Sequence, residues 1–113
     1  MITIELPIPV SANRYWRMFK GHMVVSAEAK AYKTQVAWIA RAAGAQLMDG
    51  TLSLSVDVYR AQRRGDLDNF LKILSDSLQG IIYENDSQIV EIHARLFDDK
   101  KNPRAMVSIQ EAK

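Results

Sequence analysis

The sequence predicts an α/β (α+β) fold, a single small domain running β-α-β-α-β-β, with a mixed sheet and both helices on one face. Three observations predict it. Four stretches alternate apolar and polar residues, the period of a strand with one buried face. Two others repeat apolar residues at spacings of three and four, the period of an amphipathic helix. The two kinds of stretch interleave along the chain instead of falling into separate blocks. At 113 residues the chain can bury one core without disulfide or metal staples, so the expected domain spans residues 1–113.

Ile2, Ile4 and Leu6 alternate with Thr3 and Glu5 as a short first strand, and Pro7 and Pro9 stop it. An extended, irregular loop follows, in which Tyr15, Trp16 and Phe19 interleave with Arg14, Arg17 and Lys20. Two readings fit it. The cations can contact phosphates while an aromatic ring stacks on a base; alternatively, the rings anchor the loop on the core while the charges reach to water. Ser26 then reads as a helix N-cap, with Glu28 in the first turn. The helix is expected to run to about Gly44–Leu47, burying Ala29, Tyr32, Val36, Ile39 or Ala40, Ala43 and Leu47. Lys30, Lys33 and Arg41 fall on its solvated side.

After a turn at Met48-Asp49-Gly50, Leu52, Leu54, Val56 and Val58 alternate with Ser53, Ser55, Asp57 and Tyr59, the strongest strand signal in the chain. The loop Arg60–Gly65 leads into a second helix marked by Phe70, Leu71, Leu74, Leu78 and Ile81. Gly80 breaks it, and Tyr83-Glu84-Asn85-Asp86 forms a turn. Val90, Ile92, Ala94 and Leu96 give a third long strand, on which His93 reads as an exposed surface residue. Residues 98–103 have hairpin composition, and Ala105, Val107 and Ile109 close the chain as a last strand.

Composition narrows the chemistry. The chain has no cysteine and only His22 and His93, which excludes disulfides and thiolate sites and argues against a histidine-rich zinc site. No apolar run approaches the ~20 residues of a membrane span, and the N-terminus lacks a signal-peptide pattern, so the expected location is cytoplasmic. Charge is unevenly spread: residues 14–64 carry nine Lys/Arg against three Asp/Glu, and residues 65–113 carry six against nine. Such a split suits a protein that grips a polyanion with one part and holds metal with another.

Gly65-Asp66-Leu67-Asp68-Asn69-Phe70-Leu71-Lys72 is the most informative stretch, echoed by Glu84-Asn85-Asp86-Ser87-Gln88. Asp66 and Asp68 stand where the second helix begins, and an extended entry segment points side chains i and i+2 the same way. Lys72 lies four residues beyond Asp68, on the same helical face. A hard divalent cation held by oxygen ligands, with an ammonium beside it, suits that set. The plain alternative is an N-cap, for which one aspartate suffices; capping gives no use for Arg60, Arg63 and Arg64 just upstream. Asn69 either orients a ligand carboxylate or belongs to the first turn. Asp76 and Glu84 read as surface charge.

Arg63-Arg64-Gly65-Asp66-Leu67-Asp68-Asn69-x-x-Lys72 resembles the signature of the RusA family of Holliday junction resolvases, and Asn85-Asp86-Ser87-Gln88-Ile89-Val90 resembles its second acidic motif. Pro7-x-Pro9-x-Ser11-x-Asn13-Arg14-Tyr15 and Val25-Ser26-Ala27-Glu28-Ala29 agree with it as well, so the likeness covers nearly the whole chain. The resemblance implies a RusA-like fold in a homodimeric, Mg²⁺-dependent endonuclease, with Mn²⁺ a candidate substitute, that resolves four-way DNA junctions by paired nicks during recombination and repair. By position, Asp66, Asp68 and Asp86 match the metal-binding, catalytic aspartates and Lys72 the catalytic lysine. Asn13, Arg14, Arg17, Lys20, Arg63, Arg64 and Asn69 are the expected DNA contacts. Two positions depart from the family pattern. Asn85 stands where some members have an aspartate, and Gly65 interrupts the basic run.

The expected partners are four-way or branched DNA and a second copy of the chain, with no membrane and no small-molecule cofactor, in a bacterial or phage setting. Two rival classes share the residues. One is a metal-dependent nuclease acting on other branched or duplex DNA. The other is a non-catalytic DNA-binding module, which leaves Asp66 and Asp68 unexplained, since beside Arg63 and Arg64 they would repel phosphate.

Overall fold

The chain runs β1 (Ile2–Leu6), β2 (Trp16–Phe19), β3 (His22–Val25), α1 (Ala27–Ala42), β4 (Leu52–Arg60), α2 (Leu67–Leu78), a 3-10 turn (Asp86–Gln88), β5 (Ile89–Asp98) and β6 (Arg104–Glu111). This is a computed structural model, and it describes residues 1–9, 16–62 and 66–112. Four strands form a mixed sheet in the order β1-β6-β4-β5, the α+β class that the periodicities predict. β6 pairs antiparallel with β1 and β4, whereas β5 pairs parallel with β4.

Alternation decides which face is buried. Ile4 and Leu6, Leu52, Leu54, Val56 and Val58, and Ala105, Val107 and Ile109 all turn inward. They meet Ala29, Tyr32, Val36 and Ala40 of α1 and Phe70, Ile73, Leu74 and Leu78 of α2. Fully burying side chains of this size gains roughly 1.5–3 kcal/mol each, which is why the strand and helix periods were legible.

Four expectations need correction. The aromatic and basic segment after Pro9 is not a plain loop: residues 16–25 form a hairpin, β2–β3, with Phe19 opposite His22. Its two-residue turn places Lys20 at φ 50 and Gly21 at φ 80, the left-handed pair a tight hairpin requires. Second, α1 stops at Ala42, short of residues 44–47. Gly44 at φ 82 lets the Ala45 N–H reach the Ala40 carbonyl at 2.9 Å and the Gly44 N–H reach Arg41 at 3.0 Å, a Schellman closure. Leu47 therefore lies beyond the helix and is exposed.

Third, residues 98–103 do not make a hairpin between neighbours, because β4 lies between β5 and β6. The connection crosses the end of β4, where the Asp99 N–H donates to the Arg60 carbonyl at 2.8 Å and Arg60 pairs with Asp98 at 2.6 Å. Fourth, β5 is an edge strand. Val90 and Ile92, which the alternation assigns to a buried face, are 60% and 49% exposed.

The face away from the helices is polar and held by cross-strand pairs. Arg95 donates twice to Asp57, both at 2.8 Å, from the register position opposite it. Ser53 donates to Glu91 at 2.7 Å, and His93, exposed as expected, sits 3.1 Å from the same carboxylate. Tyr59 stacks on Phe97 with the Arg104 guanidinium over its ring. Among the described residues, no helix is long and apolar enough to cross a membrane.

The Arg95 hydrogen bonds hold the Asp57 carboxyl below its ordinary value of 3.8. The unfolded chain therefore takes up that proton at higher pH than the folded one, and the pair's contribution is complete above about pH 5 and lost as pH falls through 4 and below. Asp57→Asn should flatten the acid side of a melting-temperature profile by an amount worth at most ~1 kcal/mol, because Arg95 is open to solvent. An unchanged profile would leave the pair without influence on stability.

Candidate active site

One stripe of α2 faces away from the core. Phe70, Ile73, Leu74, Ser77 and Leu78 are buried, so the helical period turns Asp68, Lys72, Ser75 and Asp76 outward together. At 1.5 Å per residue, Asp68 and Asp76 stand about 12 Å apart along the axis. These residues form one wall of an open cleft of about 470 Å³, lined also by Asn69, Leu71, Asp86, Ile89 and Ile92. The opposite wall is the 3-10 turn and the start of the edge strand β5.

Asp66 occupies the N-cap position of α2 in extended conformation, yet its side chain makes no capping hydrogen bond. Its carbonyl instead accepts from the Asn69 and Phe70 N–H groups at 3.1 and 3.2 Å. The capping alternative is thus not what this carboxylate does. Asp66 is exposed and is not among the residues that line the cleft.

Asp86 is held from behind by side chains that the chain places with care. Asn85 accepts from the Ser87 N–H at 2.9 Å, and Gln88 accepts from the Glu84 and Asn85 N–H groups at 3.0 and 3.2 Å. That reciprocal arrangement is a capping box. The amide of Gln88 also donates to the Met48 and Gly50 carbonyls at 2.9 and 3.0 Å. Beneath the turn, Tyr83 is fully buried and donates to the Ser75 carbonyl at 2.5 Å. The Met48 N–H donates to Ile82 at 2.7 Å. Asp86 therefore sits on a turn bound to both α2 and the loop before β4.

The charges in the cleft are unevenly satisfied. Among the described residues, Asp68, Lys72 and Asp86 have no hydrogen-bonded or ion-paired side-chain partner. Lys72 pairs with neither Asp68 nor Asp76, four residues away on either side, although that spacing permits a helix-surface ion pair. Asp76 pairs instead with Lys33 of α1, Nζ to Oδ2 at 2.8 Å. Burial, and after it the nearby Asp86 carboxylate, push the Asp76 carboxyl above its ordinary value.

Of the sequence-predicted residues, the structure brings Asp68, Asn69, Lys72 and Asp86 to this cleft. Lys20 lies exposed on the β2–β3 turn. Asn13, Arg14, Arg63 and Arg64, and the side chain of Arg17, lie outside the described residues. Three contributors were not assigned to the site: Asp76 reads as surface charge, Lys33 as part of the solvated helix face, and Gln88 only as part of the second acidic motif. Asp76 falls on the 68-72-76 stripe and was legible by spacing; Gln88 was legible as the end of an Asn-x-x-Gln capping box. Lys33 had no local signal, since its partner is far along the chain.

Among the described residues, no three acidic or histidine side chains gather closely enough to hold a metal ion between them. Asp68 and Asp86 nonetheless offer two carboxylates without partners, the oxygen donors a hard cation prefers. Mg²⁺ commonly takes one or two carboxylates and completes its shell with water and phosphate oxygens. The donor set fits such an ion.

Residues 6–110 match the family described as Endodeoxyribonuclease RusA. The chain belongs to the RusA family. It is 34% identical to the crossover junction endodeoxyribonuclease RusA of Escherichia coli (strain K12), over 96% of this chain and 93% of that protein. The protein of the same name from Enterobacteria phage 82 is 32% identical over 96% and 92%, and that of Shigella sonnei (strain Ss046) 32% over 96% and 93%. The fold and the acidic cleft thus sit in a family of DNA endonucleases, as the motif resemblance implies.

Gln88→Ala removes two acceptor and two donor contacts around Asp86, and should lower stability by ~1–3 kcal/mol. Hydrogen exchange at the Glu84 and Asn85 amides should accelerate along with the loss in thermal unfolding temperature. If both stay at parental values, the capping box is not what holds the turn.

Proposed function

We propose that this RusA-family crossover junction endodeoxyribonuclease cuts DNA at the cleft between α2 and the 86–88 turn, with Asp68 and Asp86 as metal-binding carboxylates, Asp66 joining them from the helix entrance only when a bound cation draws the three together, and Lys72 beside them. The observation that carries the reading is a local one. Asp68, Lys72 and Asp86 converge on one open cleft without protein partners among the described residues, whereas acids and bases across the sheet's other face are paired. Charged side chains left without partners on a concave surface are available to a ligand that brings its own charge, and a phosphodiester with a divalent cation does so.

When bound, Mg²⁺ supplies an attacking water of lowered pKa and charge relief at the phosphoryl oxygens. The chain's own groups do the rest. Asp68 and Asp86 would hold the cation, and Asp66 lies at the helix entrance just before Asp68. Lys72 meets negative charge that develops on the scissile phosphate. Asn69 lines the same wall and orients a carboxylate or a phosphate oxygen. Arg63 and Arg64, directly upstream of Asp66, and Arg14, Arg17, Lys20 and Asn13 contact the backbone of the junction arms. A junction presents two symmetry-related strands, so a two-fold homodimer with one cleft per strand gives paired nicks.

Cleavage of a synthetic four-way junction, compared with linear duplex and run with and without Mg²⁺, tests the reading. Asp68→Asn and Asp86→Asn should each remove most cleavage while the fold and metal-free junction binding survive, and Asp66→Asn should do the same. Lys72→Ala should cost on the order of 10²-fold in single-turnover rate with little change in stability, and Lys72→Arg should rescue it in part. Equal cutting of linear duplex would assign a less selective nuclease. Binding without cleavage under any metal would leave a DNA-binding module.

Replacing both Arg63 and Arg64 by alanine should weaken binding to all DNA sequences alike and shallow the log–log salt dependence by roughly one to two. Binding that keeps its slope across salt concentrations would remove both residues from the interface.

A further inference from the structure

We infer that Lys33 is a positioning residue for Lys72: by occupying Asp76, it keeps the Lys72 ammonium free to face the cleft. The inference rests on the role proposed above for Lys72, and on an absence that helix geometry makes unexpected. Lys72 and Asp76 are i,i+4 neighbours on one face of α2, close enough for an ion pair. They do not form one. Asp76 turns instead to a lysine on another helix, Lys33 of α1, at 2.8 Å.

The two lysines are unequal competitors. Asp76 is partly buried on the cleft wall, so it gains from a counter-charge more than Asp68, which is exposed in the first turn of α2. Lys33 reaches it across the α1–α2 contact, and its neighbour Tyr32, buried, ties α1 to the end of β1 by donating to the Pro7 carbonyl at 2.7 Å. The Lys33 and Asp76 side chains keep 37% and 43% of their exposure, so the pair is a modest strap between helices. Its larger consequence lies one turn back along α2. With Lys33 removed, Lys72 stands one helical turn from Asp76 in the same cleft lining, and pairing there would draw its ammonium down the helix and away from Asp68 and the scissile phosphate.

The arrangement predicts an unusual pattern of suppression. Lys33→Met should slow single-turnover cleavage by about two- to fivefold, the range in which an exposed helix pair competes. Adding Asp76→Asn should restore the rate, because the double variant has no acid at that position to capture Lys72. Lys33→Arg, which keeps a cation in reach of Asp76, should retain most of the parental rate.

A second readout needs neither metal nor DNA. The acylation rate of the Lys72 amine, followed by peptide mass spectrometry at fixed pH, should fall about two- to fivefold in Lys33→Met and recover in the double variant. Parental acylation and cleavage in Lys33→Met would overturn the inference and leave the pair a strap seen only in thermal unfolding. Slow cleavage that persists in the double variant would also overturn it, by giving Asp76 a direct part in the reaction. Lys72→Ala distinguishes the two levels of argument. If that variant cuts at the parental rate, the role of Lys72 fails, while the acylation result still decides whether Lys33 governs its pairing.

Discussion

Parallel pairing of β4 with β5 is the constraint on which the rest of the structure depends. Two parallel neighbours cannot be joined by a tight turn, so the chain must cross back over the sheet before β5 begins. Here the crossover is α2, running from the end of β4 back to the start of β5 beside Leu52. Three consequences are built into that path. The entrance of α2 carries Asp66 and Asp68, its exit must descend through the 79–88 turn that holds Asp86, and Asp68 and Asp86 line one cleft along the outer face of the helix. Because β5 is the last strand of the sheet, no further strand among the described residues covers the outer side of α2. Leu71 and Ile89 stay half-buried, Ile92 is exposed, and the gap is the cleft.

The electrostatics follow the same division. On the sheet's open face, register places complementary groups across strands, the charges of Asp57 against Arg95 and the hydroxyl of Ser53 against the Glu91 carboxylate, and each finds its partner at hydrogen-bond distance. Arg104 reaches both Asp99 at 3.0 Å and Glu5 at 3.7 Å. Exposed pairs of this kind are screened by solvent and stabilise little, so they set the shape of that face more than its stability. The cleft contrasts with it. Asp68, Asp86 and Lys72 are carried on a helix and a turn whose backbones are fixed by other contacts, which leaves these three side chains without duties to the fold. That separation of support from function is what a site needs in order to accept a charged ligand without unfolding its own scaffold.

Much of this was legible in the sequence, and the limits are physical. Alternation located β1, β4, β5 and β6, and three-four spacing located both helices, because a buried face imposes its period on the residues that make it. Asp66, Asp68, Lys72 and Asp86 stood out by their spacing. What was not legible was strand order. Residues 98–103 have the composition of a hairpin, but composition records local conformation and not which strand lies alongside, so the intervening β4 was invisible. The edge position of β5 was hidden for the same reason: Val90, Ile92, Ala94 and Leu96 alternate whether or not a helix covers them. The β2–β3 hairpin was obscured by aromatics and cations that suit a ligand-binding loop equally well, with Lys20-Gly21 as its only turn signal. The Lys33–Asp76 pair lay beyond any local pattern, since it joins two helices that the sequence separates by a strand.

Asn85 shows how support and charge can be uncoupled at a single residue. Where some members of the family have two consecutive aspartates, this chain keeps Asp86 and has an amide before it. The structure gives that amide a mechanical task, accepting the Ser87 N–H at 2.9 Å at the head of the capping box. Aspartate and asparagine cap about equally well, so the exchange leaves the turn's geometry intact and alters only the charge beside Asp86. A neutral cap removes one carboxylate's repulsion from the side of the cleft where Asp76 already stands near Asp86. The same logic places Lys33 on Asp76. In both cases the chain limits uncompensated negative charge around Asp86 and leaves Lys72 as the free cation among the described residues lining the cleft, the polarity that a phosphate entering with its metal would meet.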